Sequence, residues 1–189
     1  MNILAIDTTS TGLSIALIKG EEAYSFTKEI GKSGHSATLM PTIDDTLKSH
    51  GVDVKDLDAV AVNVGPGSFT GIRIGVSAMT AIAFATGAKR IAVTSFELIA
   101  HGRGDVVAAV DAGHGNLYLA ECSSGRVVNS FFCEAGDSKS ENAVYLPLQS
   151  VDSALARVVK EKAQNGEFVG VFEPFYMRKS QAEREKDEV

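Results

Sequence analysis

Apolar positions recur along this chain at several different spacings, and each spacing marks an element. Residues 3–6 and 13–18 are apolar runs separated by Thr8-Thr9-Ser10-Thr11-Gly12, which reads as two strands joined by a polar turn ending in Gly. Lys19-Gly20-Glu21-Glu22 turns the chain into a third strand near residues 23–28. From residue 36 to about residue 49 the period changes: Leu39, Met40, Ile43 and Leu47 share one helical face, while Asp44, Asp45 and Lys48 face away. Pro41 stands inside that pattern and either starts the regular helix or kinks it, because it donates no backbone N–H.

The run Ala59-Val60-Ala61-Val62-Asn63-Val64 lacks alternation, as expected for a strand covered on both faces. Gly65-Pro66-Gly67 then turns into a helix over residues 69–86, with Ser68 as its N-cap and Gly87 in the C′ position. A short buried strand at 90–94 and a short helix at 95–101 follow. The opening order is β-β-β-α-β-α-β-α, and Gly102-Arg103-Gly104 is the candidate boundary between a lobe at 1–102 and, at 103–189, a shortened second lobe whose end from Pro174, with alternating charges over 183–188, is expected to be a frayed, solvated tail.

Beyond that boundary the pattern repeats. Laying Asp7 on Asp111 puts Ala5-Ile6 on Ala109-Val110, Leu13 on Leu117, Ile15 on Leu119 and Ala16 on Ala120. Each copy is strand, Asp, polar turn, strand. Such a duplication predicts an α/β fold of the actin/hexokinase-like (ribonuclease H-like) kind, in which the two turns face one cleft. The second copy is the shorter: residues 134–149 are polar and irregular, followed by one helix at 151–163 and one strand at 168–172.

The candidate chemistry is sparse. Asp7, Thr9, Ser10 and Gly12 offer a carboxylate, hydroxyls and backbone N–H groups at a tight turn, suited either to phosphate and Mg²⁺ or to capping their own backbone. Gly65-Pro66-Gly67-Ser68-Phe69-Thr70-Gly71 lacks the Lys of a P-loop and carries Thr70 where a dinucleotide loop needs Gly. The four histidines, His35, His50, His101 and His114, include no i, i+4 pair, which removes metalloprotease chemistry. Cys122 and Cys133 form no CxxC and read as buried thiols of a reducing compartment. No basic segment or apolar leader opens the chain, so it is expected to be cytoplasmic. A net charge of -6 argues against gripping a polyanion unaided.

The second helix is the unusual element. From Ile74 to Ala88 it carries no charge, yet it is shorter than the about 20 residues a bilayer span needs. A helix apolar all round must be covered all round, and a sheet covers one face only. Either the first helix covers the remainder or a partner does. Gly71, Gly75 and Ala78 form a small-residue ridge open to another helix, with Val76, Met79 and Ala83 beside it. On the partner reading, Val76→Glu or Met79→Arg is expected to leave the fold intact and abolish association.

Several of these segments also resemble the TsaB (formerly YeaZ) family: Leu4-Ala5-Ile6-Asp7-Thr8-Thr9, His35-Ser36 before the first helix, and Pro174-Phe175-Tyr176-Met177-Arg178-Lys179. The most specific is Gly65-Pro66-Gly67-Ser68-Phe69-Thr70-Gly71-Ile72-Arg73. The likeness runs over residues 1–122, and the chain is short against the family after that. The resemblance implies kinship with TsaD, the subunit that transfers a threonylcarbamoyl group to the adenosine beside the anticodon of tRNAs reading ANN codons. It implies a non-catalytic chain that pairs with TsaD through its two N-lobe helices and self-associates by that face when alone. It would work with the ATPase TsaE, meet tRNA only through the complex and have no membrane contact. The partner face is then expected at Leu39, Met40, Ile43, Leu47, Ile72, Gly75, Val76, Met79 and Ala83. No intrinsic cofactor or metal is expected, ATP or ADP and metal belonging to partner subunits. The alternative is an autonomous actin-like ATPase or phosphotransferase using Asp7 and Asp111 across the cleft.

Overall fold

The structure, a computed structural model, describes residues 1–30, 34–137 and 142–178. Its first half has the expected order: β1 (Asn2–Asp7), β2 (Gly12–Lys19), β3 (Glu22–Glu29), α1 (Gly34–Ser49), β4 (Ala59–Asn63), α2 (Phe69–Thr86), β5 (Lys89–Val93) and α3 (Ser95–Ala100). The five strands form one sheet in the order β3-β2-β1-β4-β5, antiparallel on the β3 side and parallel from β1 to β5. A second sheet holds β6 (Val106–Gly113), β7 (Asn116–Ser123) and β8 (Arg126–Cys133), all antiparallel, and α4 (Val151–Asn165) follows.

The unbroken apolar runs of β1, β2 and β4 follow from burial on both faces. Leu4, Ile6, Leu13, Ile15, Leu17, Val60 and Val62 point to one face, where they pack with Leu39, Ile43, Met79 and Ile82 of α1 and α2. Their neighbours Ile3, Ala5, Ala16, Ile18, Ala59 and Ala61 point to the other, under Val151, Ala154, Leu155, Val158 and Val159 of α4. So α4, which follows the second sheet in the chain, closes the first. It is also tied to α3 by Lys162, whose ammonium meets Glu97 Oε1 at 2.6 Å. The second sheet rests on α3 through Phe96, Ile99 and Ala100 against Ala108, Ala120 and Cys122.

Helix ends fall where the capping chemistry puts them. Ser68 Oγ accepts from Gly71 N, and Gly87 closes α2 in the left-handed region at φ 75°. Thr94 and Glu97 form a reciprocal capping box at α3 that the sequence reading did not single out. Pro41 lies within an unbroken α1, whose Thr38, Thr42 and Thr46 hydroxyls donate to carbonyls one turn back. One expected element is corrected. Residues 168–172 form no strand; Val169 makes a single bridge to Arg90 at the β5 edge, with Gly170 next to it offering no side chain to pack. The irregular stretch expected at 134–149 lies partly outside the described residues; within it Val144 bridges Ala108 and a 3₁₀ turn spans Leu148–Ser150.

Candidate functional site

Two features stand out, the end of β1 and the outer arc of α2. At the first, Asp7 heads an inward-facing hydrogen-bond network. Its Oδ1 accepts from Thr9 N at 2.7 Å and from Thr9 Oγ1 at 2.8 Å, and its Oδ2 accepts from Asn63 Nδ2 at 2.7 Å. Asn63 Nδ2 also donates to Ser95 Oγ at 2.9 Å, and Asn63 Oδ1 accepts from Gly65 N at 3.0 Å. Ser95 Oγ in turn donates to Pro66 O at 2.7 Å. All four polar residues are buried. A buried carboxylate is tolerated only when its lone pairs are engaged, and here they tie β1, β4 and α3 together.

Of the two roles the sequence left open for this turn, capping its own backbone is the one its hydrogen bonds serve. Besides Thr9 N, Gly12 N donates to Ser10 Oγ, and Thr9 O accepts from Ser68 N at 2.7 Å. A methyl on Gly12 would lie 2.7 Å from Leu148 Cδ1, so that side chain sits over the turn. The echo is visible at Asp111, whose Oδ1 accepts from Gly113 N at 2.7 Å as Asp7 Oδ1 accepts from Thr9 N. Both aspartates line one cleft of about 720 Å³ between the sheets. Its other walls are the start of α2, Tyr118 of β7, Tyr145, Leu146 and the segment from Phe175 to Arg178.

That segment straps the cleft. Phe175 N donates to Val64 O at 2.8 Å, and the Phe175 ring meets Phe96 edge-on at 6.2 Å. Tyr176 stacks on Phe69 at 4.7 Å, and the Arg178 guanidinium lies 4.1 Å over the Phe132 ring of β8. Sequence reading quoted this stretch for its family likeness and placed it in a frayed, solvated tail, which is corrected here for residues 174–178; the run of aromatic and apolar side chains after Pro174 was the signal for packing between the sheets.

The outer arc of α2 differs from the expected partner face. Leu39, Ile43, Leu47, Ile72, Gly75, Met79 and Ala83 are buried within the chain, and Leu39, Ile43, Leu47, Met79 and Ala83 among them pack in the core between α1, α2 and the sheet. The ridge of Gly71 and Gly75 faces Thr8 and not open space. A methyl at 71 would overlap the Thr8 carbonyl oxygen, and one at 75 would overlap the Thr8 hydroxyl. Thr8 Oγ1 donates to Gly71 O at 2.7 Å across that contact. Met79→Arg would place a charge in the core, which corrects the expectation that this variant keeps its fold.

Of the nine expected positions, Met40, 50% exposed, and the half-buried Val76 remain accessible. The exposed arc instead carries Arg73, Ser77, Thr80, Ala81, Ala85 and Phe84, the last 86% exposed, with Ile74 and Ala78 half-buried at its margin. These residues recur at intervals of three and four, opposite the buried Ile72–Met79–Ala83 side. Only Arg73 is charged, and its guanidinium lies 5.1 Å over Phe69. By length and composition α2 could cross a bilayer, but the Thr8 contacts and its buried side chains fasten it to the sheet.

The histidines are dispersed. His35, in the first turn of α1, has Nε2 3.0 Å from Gly12 O, His50 Nδ1 is 2.8 Å from Thr46 O, and His101 faces Glu161. His114 sits at φ 56° in the β6–β7 turn. Among the described residues no three or more His, Cys, Asp or Glu are grouped so as to hold a metal. Burial pushes the Cys122 thiol pKa up, which suits a packing role.

Comparison with known proteins decides the family. The family model for TsaD, tRNA N6-adenosine threonylcarbamoyltransferase, matches residues 26–130, more than half of the chain. The tRNA threonylcarbamoyladenosine biosynthesis protein TsaB of Haemophilus influenzae is 30% identical over 138 residues, and that of Bacillus subtilis is 36% identical over 122. The chain belongs to the TsaB (YeaZ) family. It covers 58% of the Haemophilus and 53% of the Bacillus TsaB, so it spans little more than half the length of these relatives. The alignments take in 69% and 62% of this chain. A Pseudomonas aeruginosa structure described as similar to peptidase YeaZ superposes with a TM-score of 0.77 at 24% identity, covering 94% of this chain and 99% of that one. The chain thus shares the fold of that protein over nearly its whole described length.

Proposed function

We propose that this TsaB-family chain is a non-catalytic subunit of the machinery that makes threonylcarbamoyladenosine on tRNA, and that it holds a TsaD subunit by the outer arc of α2 with Met40 of α1. The observation that carries this reading is Phe84: a phenylalanine 86% exposed on a helix whose arc carries one charge. A bare aromatic ring on an arc of otherwise small and weakly polar residues suits an interface anchor, the aromatic type that dominates interface energetics. The inward hydrogen bonding of Asp7 supports a structural role at the position where an ATPase needs an open carboxylate. On this reading the same face closes a homodimer when TsaD is absent. TsaE joins through the complex, and nucleotide and metal belong to the partner subunits. The net charge of -6 fits a cytoplasmic chain that meets tRNA only through that complex.

The test is made in the host. Depleting the chain is expected to remove threonylcarbamoyladenosine from tRNA digests read by mass spectrometry, and re-expression to restore it. Phe84→Arg is expected to fold and fail to restore it. Unchanged tRNA modification on depletion would count against the reading. So would hydrolysis of ATP by the isolated chain that vanishes in Asp7→Ala, which supports the ATPase alternative instead.

A further inference from the structure

The single charge on the exposed arc of α2 has no acceptor of its own. Among the described residues Arg73 forms no ion pair, and its N–H donors meet no carboxylate or carbonyl. Its guanidinium is nevertheless held: it lies 5.1 Å over the Phe69 ring, and Phe69 is stacked in turn on Tyr176 at 4.7 Å. Those rings restrict the directions the side chain can take while leaving its donors open to the outside. Arg73 is also placed in line with Phe84. At 3.6 residues per turn, the eleven positions between them make three turns, so the two side chains fall on one line of the helix, about 16 Å apart. Ser77 and Thr80 stand between them.

We infer, resting on the TsaD reading, that Arg73 determines the specificity of this face: the TsaD surface that covers α2 presents a carboxylate to the guanidinium, about 16 Å along the helix from the apolar pocket that takes Phe84. An interface over this arc takes Arg73 out of water, and a desolvated guanidinium is tolerated only when paired with an anion of matching geometry. A carboxylate accepts two parallel N–H bonds from the guanidinium fork. The arc itself offers no such group, its other positions being Ser77, Thr80, Ala81, Phe84 and Ala85. A charge at one end and a bare ring at the other also give the face a direction. A partner helix docked end for end would set its carboxylate against Phe84 and leave Arg73 buried without an acceptor.

Isothermal titration of the full chain into TsaD from the same host tests this. Arg73→Gln is expected to raise Kd by at least about tenfold, since it leaves the partner's carboxylate buried without its counter-charge. Arg73 is exposed, so circular dichroism melts should hold Tm within about 2 °C and keep folding out of the comparison. Among single Asp→Lys and Glu→Lys changes on TsaD, one is expected to abolish binding of the wild-type chain and to be rescued by Arg73→Glu. Wild-type affinity in Arg73→Gln, or the absence of any rescued pair, while Phe84→Arg fails to bind, would overturn the role of Arg73 and leave the TsaD reading standing. No binding by the wild-type chain, or wild-type affinity in Phe84→Arg as well, would remove both.

Discussion

Gly71→Ala separates two roles for the small residues of α2. If the ridge serves a partner helix, the substitution leaves the isolated chain at least as stable, since alanine gains about 1 kcal/mol over glycine within a helix. If the ridge serves Thr8, the new methyl overlaps the Thr8 carbonyl oxygen and lies 3.0 Å from its carbon, so backbone must give way. Overpacking of that kind costs about 1–3 kcal/mol. Displacement also breaks the buried bond from Thr8 Oγ1 to Gly71 O, and an orphaned buried hydroxyl adds about 1–3 kcal/mol. Against the helix gain, the net expectation is a loss of about 3 kcal/mol. At about 2–4 °C per kcal/mol for a chain of this size, thermal melts by circular dichroism should show Tm lower by about 6–12 °C. Ser77→Ala, on the exposed arc, is the control and should not lower Tm. A Gly71→Ala protein that melts at or above the wild-type temperature refutes the packing argument.

Asn63→Ala strips Asp7 Oδ2, Ser95 Oγ and Gly65 N of a common partner, and urea melts should show a loss of about 2–4 kcal/mol. Met79→Arg is expected to yield no cooperatively folded protein, visible as a lost thermal transition, because Met79 is wholly buried. Cys122 should resist iodoacetamide at pH 8 in the native state and react at once in denaturant, as burial holds its thiol protonated. The sign for stability follows: the folded state keeps that proton longer than the unfolded chain does, so the contribution is present below the ordinary thiol range and declines as pH rises through it. A pH series of urea midpoints in wild type and Cys122→Ala reads that decline directly.

The alternation and capping signals were legible because they act locally. Double-faced burial wrote itself into the apolar runs of β1, β2 and β4, and Ser68 and Gly87 marked both ends of α2. The Asp7–Asp111 echo anticipated that both turns would reach one cleft. What stayed hidden depended on which side of α2 faces the sheet. A helix with a single charge, at Arg73 near its start, has a weak amphipathic direction, so Met79 and Gly75 were assigned to the open arc and Phe84 was passed over. Glycine at 71 and 75 has the same spacing whether it admits a partner helix or the loop that follows β1; only the Thr8 contacts distinguish the two. Asn63 was read as part of an apolar strand, although a lone amide at the end of such a strand, just before Gly65, was a sign of a buried acceptor nearby.

The account turns on whether the outer arc of α2 is a binding surface, and isothermal titration of the chain into a TsaD subunit from the same host addresses that directly. Full burial of a phenylalanine contributes about 1.5–3 kcal/mol, equivalent to about 10–150-fold in Kd. The account predicts that Phe84→Ala raises Kd by at least about tenfold at unchanged Tm, and that Phe84→Arg abolishes the heat of binding. Wild-type affinity in both variants, with TsaD bound, would contradict it.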